Sequence, residues 1–223
     1  MQSSKLALYP MAKYTYPKAR ATMDLSVVIP CYNEEGSIPE LYKRVTAAVA
    51  AQVTSYEIVL VNDGSRDNTW TQLKALAEQD FHVVAVNLSR NHGHQLALSA
   101  GLKVCSGERV LIIDADLQDP PELLAAMMAK MDDGCDVVYG QRIARDGESL
   151  FKRASAAGFY RFLDRVVDID IPRDTGDFRL ISRRALDVLN SMPEHHRFIR
   201  GMISWIGMRQ EALPYERASR FAG

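Results

Sequence analysis

The sequence predicts an α/β fold, with a mainly parallel central sheet covered by helices on both faces. Three observations point there. Short unbroken runs of Val, Ile and Leu recur from Leu25 onward, the pattern of strands buried on both faces. Stretches with helical spacing and helix-start residues separate those runs. The chain has 223 residues, 47% hydrophobic and 25% charged, which suits one soluble domain and excludes a disordered, collagen-like or disulfide-stapled chain.

Residues 25–30 (LSVVIP) form the first expected strand. Ser37-Ile38-Pro39-Glu40 reads as a capping box with proline in the first turn, opening a helix to about residue 52. Residues 56–62 (YEIVLVN) are the second strand, and Asp67 or Asn68 caps a helix over 69–79. A strand follows at 83–87, a helix at 94–104 and a strand at 109–114 (RVLIID). Asp119-Pro120-Pro121-Glu122 starts the next helix, with Asp119 as its cap, and 136–139 (DVVY) is a fifth strand. Beyond Arg142 the pattern changes to a basic amphipathic helix over 149–167, a strand at 177–182, helices at 183–190 and 196–205, and a strand at 209–217. Residues 1–23 read as an N-terminal extension and 24–223 as one domain.

The net charge of -1 argues against a nucleic-acid binder, which carries a basic excess. The balance hides an asymmetry. Residues 1–141 hold 12 basic and 17 acidic residues (net -5), whereas residues 142–223 hold 15 and 11 (net +4). Cys31, Cys105 and Cys135 lack metal or disulfide spacing and read as buried, reduced thiols. No run of 18 apolar residues offers a membrane span, and residues 1–22 do not read as a signal peptide.

In doubly wound sheets, ligands bind beyond the carboxyl ends of the strands. Each expected strand end here carries polar residues: Tyr32-Asn33-Glu34, Asp63-Gly64-Ser65, Ser89-Arg90-Asn91-His92, Asp114-Ala115-Asp116 and Gln141-Arg142. Asp114 and Asp116 sit at spacing two just past a buried strand. Magnesium and manganese take one or two carboxylates plus substrate phosphates, so this pair suits a metal-bound diphosphate. In isolation, Asp63-Gly64 is better explained as an ordinary turn than as a carboxylate bonding a base or ribose.

Together, Pro30-x-Tyr32-Asn33-Glu34, Asp63-Gly64-Ser65 and Asp114-x-Asp116 resemble the family 2 inverting glycosyltransferases. Residues 89–94 (SRNHGH), 114–122 (DADLQDPPE), 175–180 (TGDFRL) and 196–205 (HRFIRGMISW) are similar to the polyprenyl-phosphate glycosyltransferase branch of that family. The resemblance covers about residues 24–223 and implies the GT-A fold, a Rossmann-like three-layer sandwich. It implies that Pro30, Tyr32, Glu34 and Asp63 hold the base and ribose of a UDP- or GDP-linked sugar, with Asp114 against the ribose or diphosphate. Asp116 and Gln118 would bind a divalent metal, Mg2+ or Mn2+. Arg142, Lys152, Arg153 and Ser155 would receive the phosphate of a polyprenyl phosphate acceptor. Asp177 and Arg179 would lie at the sugar and diphosphate, and Arg200 and Arg220 would clamp phosphate. Many members carry Lys where this chain has His94, and Asp where it has Asn62.

A lipid phosphate, largely dianionic at neutral pH, is already a nucleophile and needs no strong base. A sugar hydroxyl needs one, and Asp177 is then the candidate. The branch commonly continues into transmembrane helices beyond the equivalent of residues 220–223. That implies work at the cytoplasmic face of a membrane and is compatible with a homo-oligomer. By its charge pattern, the basic amphipathic helix over 149–167 either lies on an anionic membrane surface or packs on the core with a solvated face. Three alternatives stay open: a hydroxyl acceptor in polysaccharide synthesis, a haloacid-dehalogenase-type phosphatase built on Asp114 and Asp116, and a non-catalytic nucleotide-sugar-binding module.

Overall fold

The computed structural model describes residues 23–143 and 175–221. Its elements run β1 (Met23–Cys31), α1 (Ile38–Ala50), β2 (Tyr56–Asn62), α2 (Thr69–Gln79), β3 (Val83–Asn87), α3 (His94–Val104), β4 (Gly107–Ile112) and a 3-10 turn at Pro121–Leu123. Then come α4 (Leu124–Asp132), β5 (Val137–Arg142), β6 (Thr175–Ser182), α5 (Arg183–Ser191), α6 (Ile199–Ile206) and β7 (Gln210–Tyr215). The expected helix over 149–167 lies outside the described residues.

The strands form one sheet in the order β3-β2-β1-β4-β6-β5-β7. Successive residues of a strand face opposite sides, and both sides are apolar here. Val27 and Ile29 face a cluster with Leu41, Val45 and Val49 of α1, Leu73 of α2, and Leu124 and Met127 of α4. Val28 faces the other cluster, with Leu98 and Leu102 of α3, Leu186 and Leu189 of α5, and Ile203 of α6. The result is the expected three-layer α/β sandwich.

β1, β2, β3 and β4 pair in parallel. β6 runs antiparallel to both β4 and β5. That reversal brings the start of β6 to the same sheet edge as the ends of the parallel strands, which decides where Asp177 lies.

Several local expectations are corrected. No capping box forms at α1, because the Ser37 hydroxyl turns back to the Glu34 carboxylate and carbonyl. At α2 one of the two expected forms holds: the Asp67 side chain takes the Thr69 N–H (3.0 Å), and Asn68 makes no side-chain cap. Asp119 does not cap its helix, which begins after Pro120 with no side-chain cap. β4 ends two residues earlier than expected, so Asp114 lies beyond the ladder. His196 precedes α6 rather than opening it. The three cysteines are free and buried as expected, and burial pushes the Cys105 thiol up to about 11.

Candidate active site

The loops after β1, β2 and β3 are stitched into one wall. Asn33 N–H donates to Ser65 Oγ (3.0 Å), and Arg66 N–H donates to Asn33 Oδ1 (2.9 Å). Glu34 N–H donates to Thr69 Oγ1 (2.8 Å) and Glu35 N–H to Asp67 Oδ2 (3.1 Å). Both Asp63 oxygens accept backbone amides of the next loop, from His92 (2.7 Å) and Gly93 (3.0 Å). Asp63 is therefore first a clamp on the 92–93 turn. Tyr32, just past the end of β1, stands 41% exposed. Pro30 is buried inside β1, so it shapes the strand end.

The floor is acidic. Asp114 follows β4, and its Oδ1 is buried without a hydrogen-bond partner. Desolvation, reinforced by the nearby Asp119, Asp177 and Asp116 against the opposing pull of His94, pushes its carboxyl up to about 6. Leu117 adopts φ +58, which is costly for a branched residue and turns the chain sharply between Asp116 and Gln118. Gln118 N–H then donates to Asp116 Oδ1 (3.0 Å). Asp119, whose side chain is fully buried, is held by the Tyr215 hydroxyl, with Arg142 Nη2 at 3.7 Å and Arg217 Nε at 3.8 Å.

The facing side comes from β5, β6, α3 and α6. Asp177 Oδ2 accepts from Gln95 Nε2 (2.7 Å) and meets His94 Nε2 (3.0 Å), while Oδ1 lies 3.3 Å from Arg200 Nε. Burial alone would raise the Asp177 carboxyl. The His94 hydrogen bond and the charges of Arg179 and Arg200 outweigh it and hold it below the usual range. Hydrogen bonding to Asp177 likewise raises the His94 imidazole. His94 also lies 3.5 Å from Asp114 Oδ1, so it bridges the two carboxylates. Arg142 lies over Gly176, where a Cβ would stand 2.4 Å from its Nη2. Arg179 is only 3% exposed, and its Nη2 donates to the Gly176 carbonyl (2.9 Å). Burial pushes its guanidinium down to about 10. Arg179 thus braces the Asp177 turn from beneath.

Residues 216–221 pass across the acidic loop. Ala218 N–H donates to the Gln118 carbonyl (3.0 Å) and Phe221 N–H to the Asp116 carbonyl (3.3 Å). Arg217 Nη2 stands 3.8 Å from Asp116 Oδ2, and Arg220 Nη2 donates to Glu34 Oε1 (2.8 Å). The structure therefore brings Glu34, Asp114, Asp116, Gln118, Arg142, Asp177, Arg200 and Arg220 to one sheet edge. Lys152, Arg153 and Ser155 lie outside the described residues. Gln95, Tyr215 and Arg217 belong to the site and were not expected. Their partners are distant in sequence, and no local pattern marks them.

Among the described residues, no group of three or more His, Cys, Asp and Glu side chains is arranged to hold a metal. What is present is the Asp116 carboxylate with the Gln118 side chain two residues on, and Gln118 spends its amide nitrogen on the Ala218 carbonyl (3.3 Å). One carboxylate and one amide oxygen do not make a protein cage. They do fit an ion such as Mg2+ or Mn2+, which completes its shell with water and substrate phosphate.

The profile of the family described as Glycosyl transferase family 2 matches residues 26–189, from β1 to α5. The chain belongs to this family. It is 45% identical over 198 residues to "Uncharacterized glycosyltransferase YkcC" of Bacillus subtilis, covering 89% of this chain and 61% of that protein. It is 39% identical over 201 residues to the "Bactoprenol glucosyl transferase" of Shigella phage SfV, covering 90% of this chain and 66% of that one. The chain spans 61% and 64% of the length of two such relatives, the second from Synechocystis.

Among solved structures, it resembles the mannosyltransferase PcManGT from Pyrobaculum calidifontis, in complex with GDP-Man and Mn2+. The TM-score is 0.60 at 23% identity, covering 89% of this chain and 56% of that one. It also resembles glucosyl-3-phosphoglycerate synthase from Mycobacterium tuberculosis, in complex with Mn2+, UDP-glucose and glycerol 3-phosphate. Here the TM-score is 0.53 at 20% identity, covering 90% and 73% of the two chains. These structural likenesses establish the GT-A fold. Among the described residues, no helix is long and apolar enough to cross a membrane.

Proposed function

We propose that this chain is the catalytic domain of an enzyme that moves a hexose from a nucleoside diphosphate sugar to a polyprenyl phosphate, inverting the anomeric carbon. The observation that carries this reading is the state of Asp177. Two donors sit on one of its oxygens and a guanidinium lies against the other, and its proton affinity is lowered. An effective general base has a pKa near the working pH. A carboxylate held ionised suits an acceptor that brings its own negative oxygen, such as a phosphate, and not a hydroxyl that must be deprotonated.

In this reading Tyr32 stacks on the base, and Glu34 and the Asp63-clamped wall line the nucleoside. Asp114 lies against the ribose or diphosphate. Asp116 and Gln118 hold Mg2+ or Mn2+, which when bound neutralises charge on the departing diphosphate. Arg220 and Arg200 supply further positive charge there. Asp177 orients the hexose, and Arg142, with Lys152, Arg153 and Ser155, receives the lipid phosphate. The acceptor oxygen attacks the anomeric carbon from the face opposite the diphosphate. The bond to the diphosphate breaks with its electron pair, and no proton needs to move. Support for the lipid acceptor comes from the likeness to the bactoprenol glucosyl transferase. The work site is the cytoplasmic face of the membrane in which that acceptor lies. UDP-glucose is the first donor to try.

The test offers radiolabelled nucleotide sugars, Mg2+ or Mn2+ and polyprenyl phosphate, and follows label into the organic phase. Label that depends on lipid phosphate and metal, and is lost in Asp116→Asn, is the expected result. Transfer to a sugar hydroxyl, or metal-dependent nucleotide binding without transfer even in a membrane-extended chain, would overturn the proposal.

A further inference from the structure

We propose that Gln95 is a positioning residue that locks the Asp177 carboxylate in place and ties it to the seating of α6. Gln95 occupies the first turn of α3 and is half-buried. Both ends of its amide are committed. Oε1 accepts the Ile199 N–H at the first residue of α6 (2.9 Å), and Nε2 donates to Asp177 Oδ2 (2.7 Å). The two partners lie 104 and 82 residues away along the chain.

An amide has one accepting end and one donating end. The Ile199 N–H is only a donor, and as a first-turn amide it has no partner within its own helix. It therefore fixes Oε1, and Nε2 must face Asp177. Rotating the amide would set N–H against N–H at one end and oxygen against carboxylate at the other. The second residue of α6 closes the loop, because Arg200 lies 3.3 Å from Asp177 Oδ1 and donates Nη1 to the Thr175 carbonyl (2.6 Å). One neutral side chain thus couples the start of α6, the start of β6 and the start of α3. The charged groups around that junction are His94, Asp114, Asp177, Arg179 and Arg200.

This inference rests on the proposal that Asp177 orients the transferred sugar, so the test has one arm free of substrate. In that arm the Asp177 carboxyl is titrated by carbon-13 NMR, assigned by its loss in Asp177→Asn. Removing a donor from an ionised carboxylate raises its pKa. Gln95→Ala should therefore move the Asp177 midpoint upward. In Gln95→Glu two carboxyls meet, and such a pair shares one proton up to a raised apparent pKa. That shared proton replaces the amide hydrogen at low pH and is lost at high pH.

The second arm measures sugar transfer. Gln95→Ala should lower kcat about 10- to 100-fold, the weight of one hydrogen bond to a charged group. KM for the donor and the affinity for free nucleoside diphosphate should change less than about threefold, since the nucleoside wall is untouched. Gln95→Glu should stay active at the acid end of the profile and lose activity on a new alkaline limb that the wild type lacks. A merely structural role would lower Tm in both variants without a new ionisation. An Asp177 midpoint unmoved in Gln95→Ala, or a Gln95→Glu pH profile matching the wild type, would overturn the inference. Failure of transfer in the wild type would instead count against the proposed function, and the NMR arm would still decide the role of Gln95.

Discussion

Replacing Asp114 by Asn should stabilise the metal-free protein at neutral pH relative to its behaviour in acid. The Asp114 side chain is 26% exposed, and its Oδ1 is buried with no hydrogen-bond partner. Desolvation, with Asp119, Asp177 and Asp116 nearby, raises its carboxyl from 3.8 to about 6, and His94 offsets only part of this. A gap of roughly two pH units at about 1.4 kcal/mol each gives ~3 kcal/mol. The sign follows from proton linkage. The folded pKa is above the unfolded one, so the protonated carboxyl contributes stability that is fully present below about pH 4. That contribution is lost as pH rises through about 6. Asn has no such titration. Guanidinium unfolding in the presence of EDTA, at steps from pH 4 to 8, should show variant-minus-wild-type stability rising by about 3 kcal/mol. A difference that stays flat over that range would refute the desolvated-carboxylate account of Asp114. The proposed function adds that the variant binds nucleotide sugar poorly, a stability gain at the expense of the site.

Gly64→Ala should destabilise the protein by about 2–4 kcal/mol, combining a left-handed backbone penalty with a steric clash. Gly64 has φ +67, and an added Cβ would stand 2.4 Å from the Arg90 carbonyl carbon and 2.5 Å from the Asn91 nitrogen. Thermal unfolding should show a Tm drop of roughly 4–16 °C, with weaker nucleotide binding because the amides that Asp63 clamps are displaced. Arg217→Ala removes a cation 3.8 Å from Asp116 Oδ2. It should tighten binding of Mn2+ alone about fivefold, the weight of roughly 1 kcal/mol between partly exposed charges. Electron paramagnetic resonance of free Mn2+ would measure it, and weaker binding would count against Asp116 as the ligand.

Much of the fold was legible because buried strands and amphipathic helices write their periods into the chain. The boundaries of β2, α2, β3 and α3 match the residue pattern, since apolar runs and first-turn residues mark both their ends. The polar strand ends were legible because the apolar runs break off at polar residues, although Asn62 and Asp63 prove to be buried and held by hydrogen bonds to neighbouring loops. Residue type did not reveal that Arg179 is buried. On β6 it lies on the inner side of the Asp177 turn, with its guanidinium on backbone carbonyls. Reading Asp119 as a cap failed because a better set of partners, Tyr215, Arg142 and Arg217, arrives from the far end of the chain.

By itself, the sequence determined the α/β alternation, the residues available at each strand end and the pairing of Asp114 with Asp116. All of these are properties of neighbours along the chain. The direction of β6 was decided only in the tertiary structure, because a strand buried on both faces reads the same whichever way it runs. That direction sets Asp177 beside His94 and Gln95 and within reach of Asp114. Its ionised state, and the raised proton affinity of Asp114, then follow from charges and desolvation that exist only once distant segments share one low-dielectric edge.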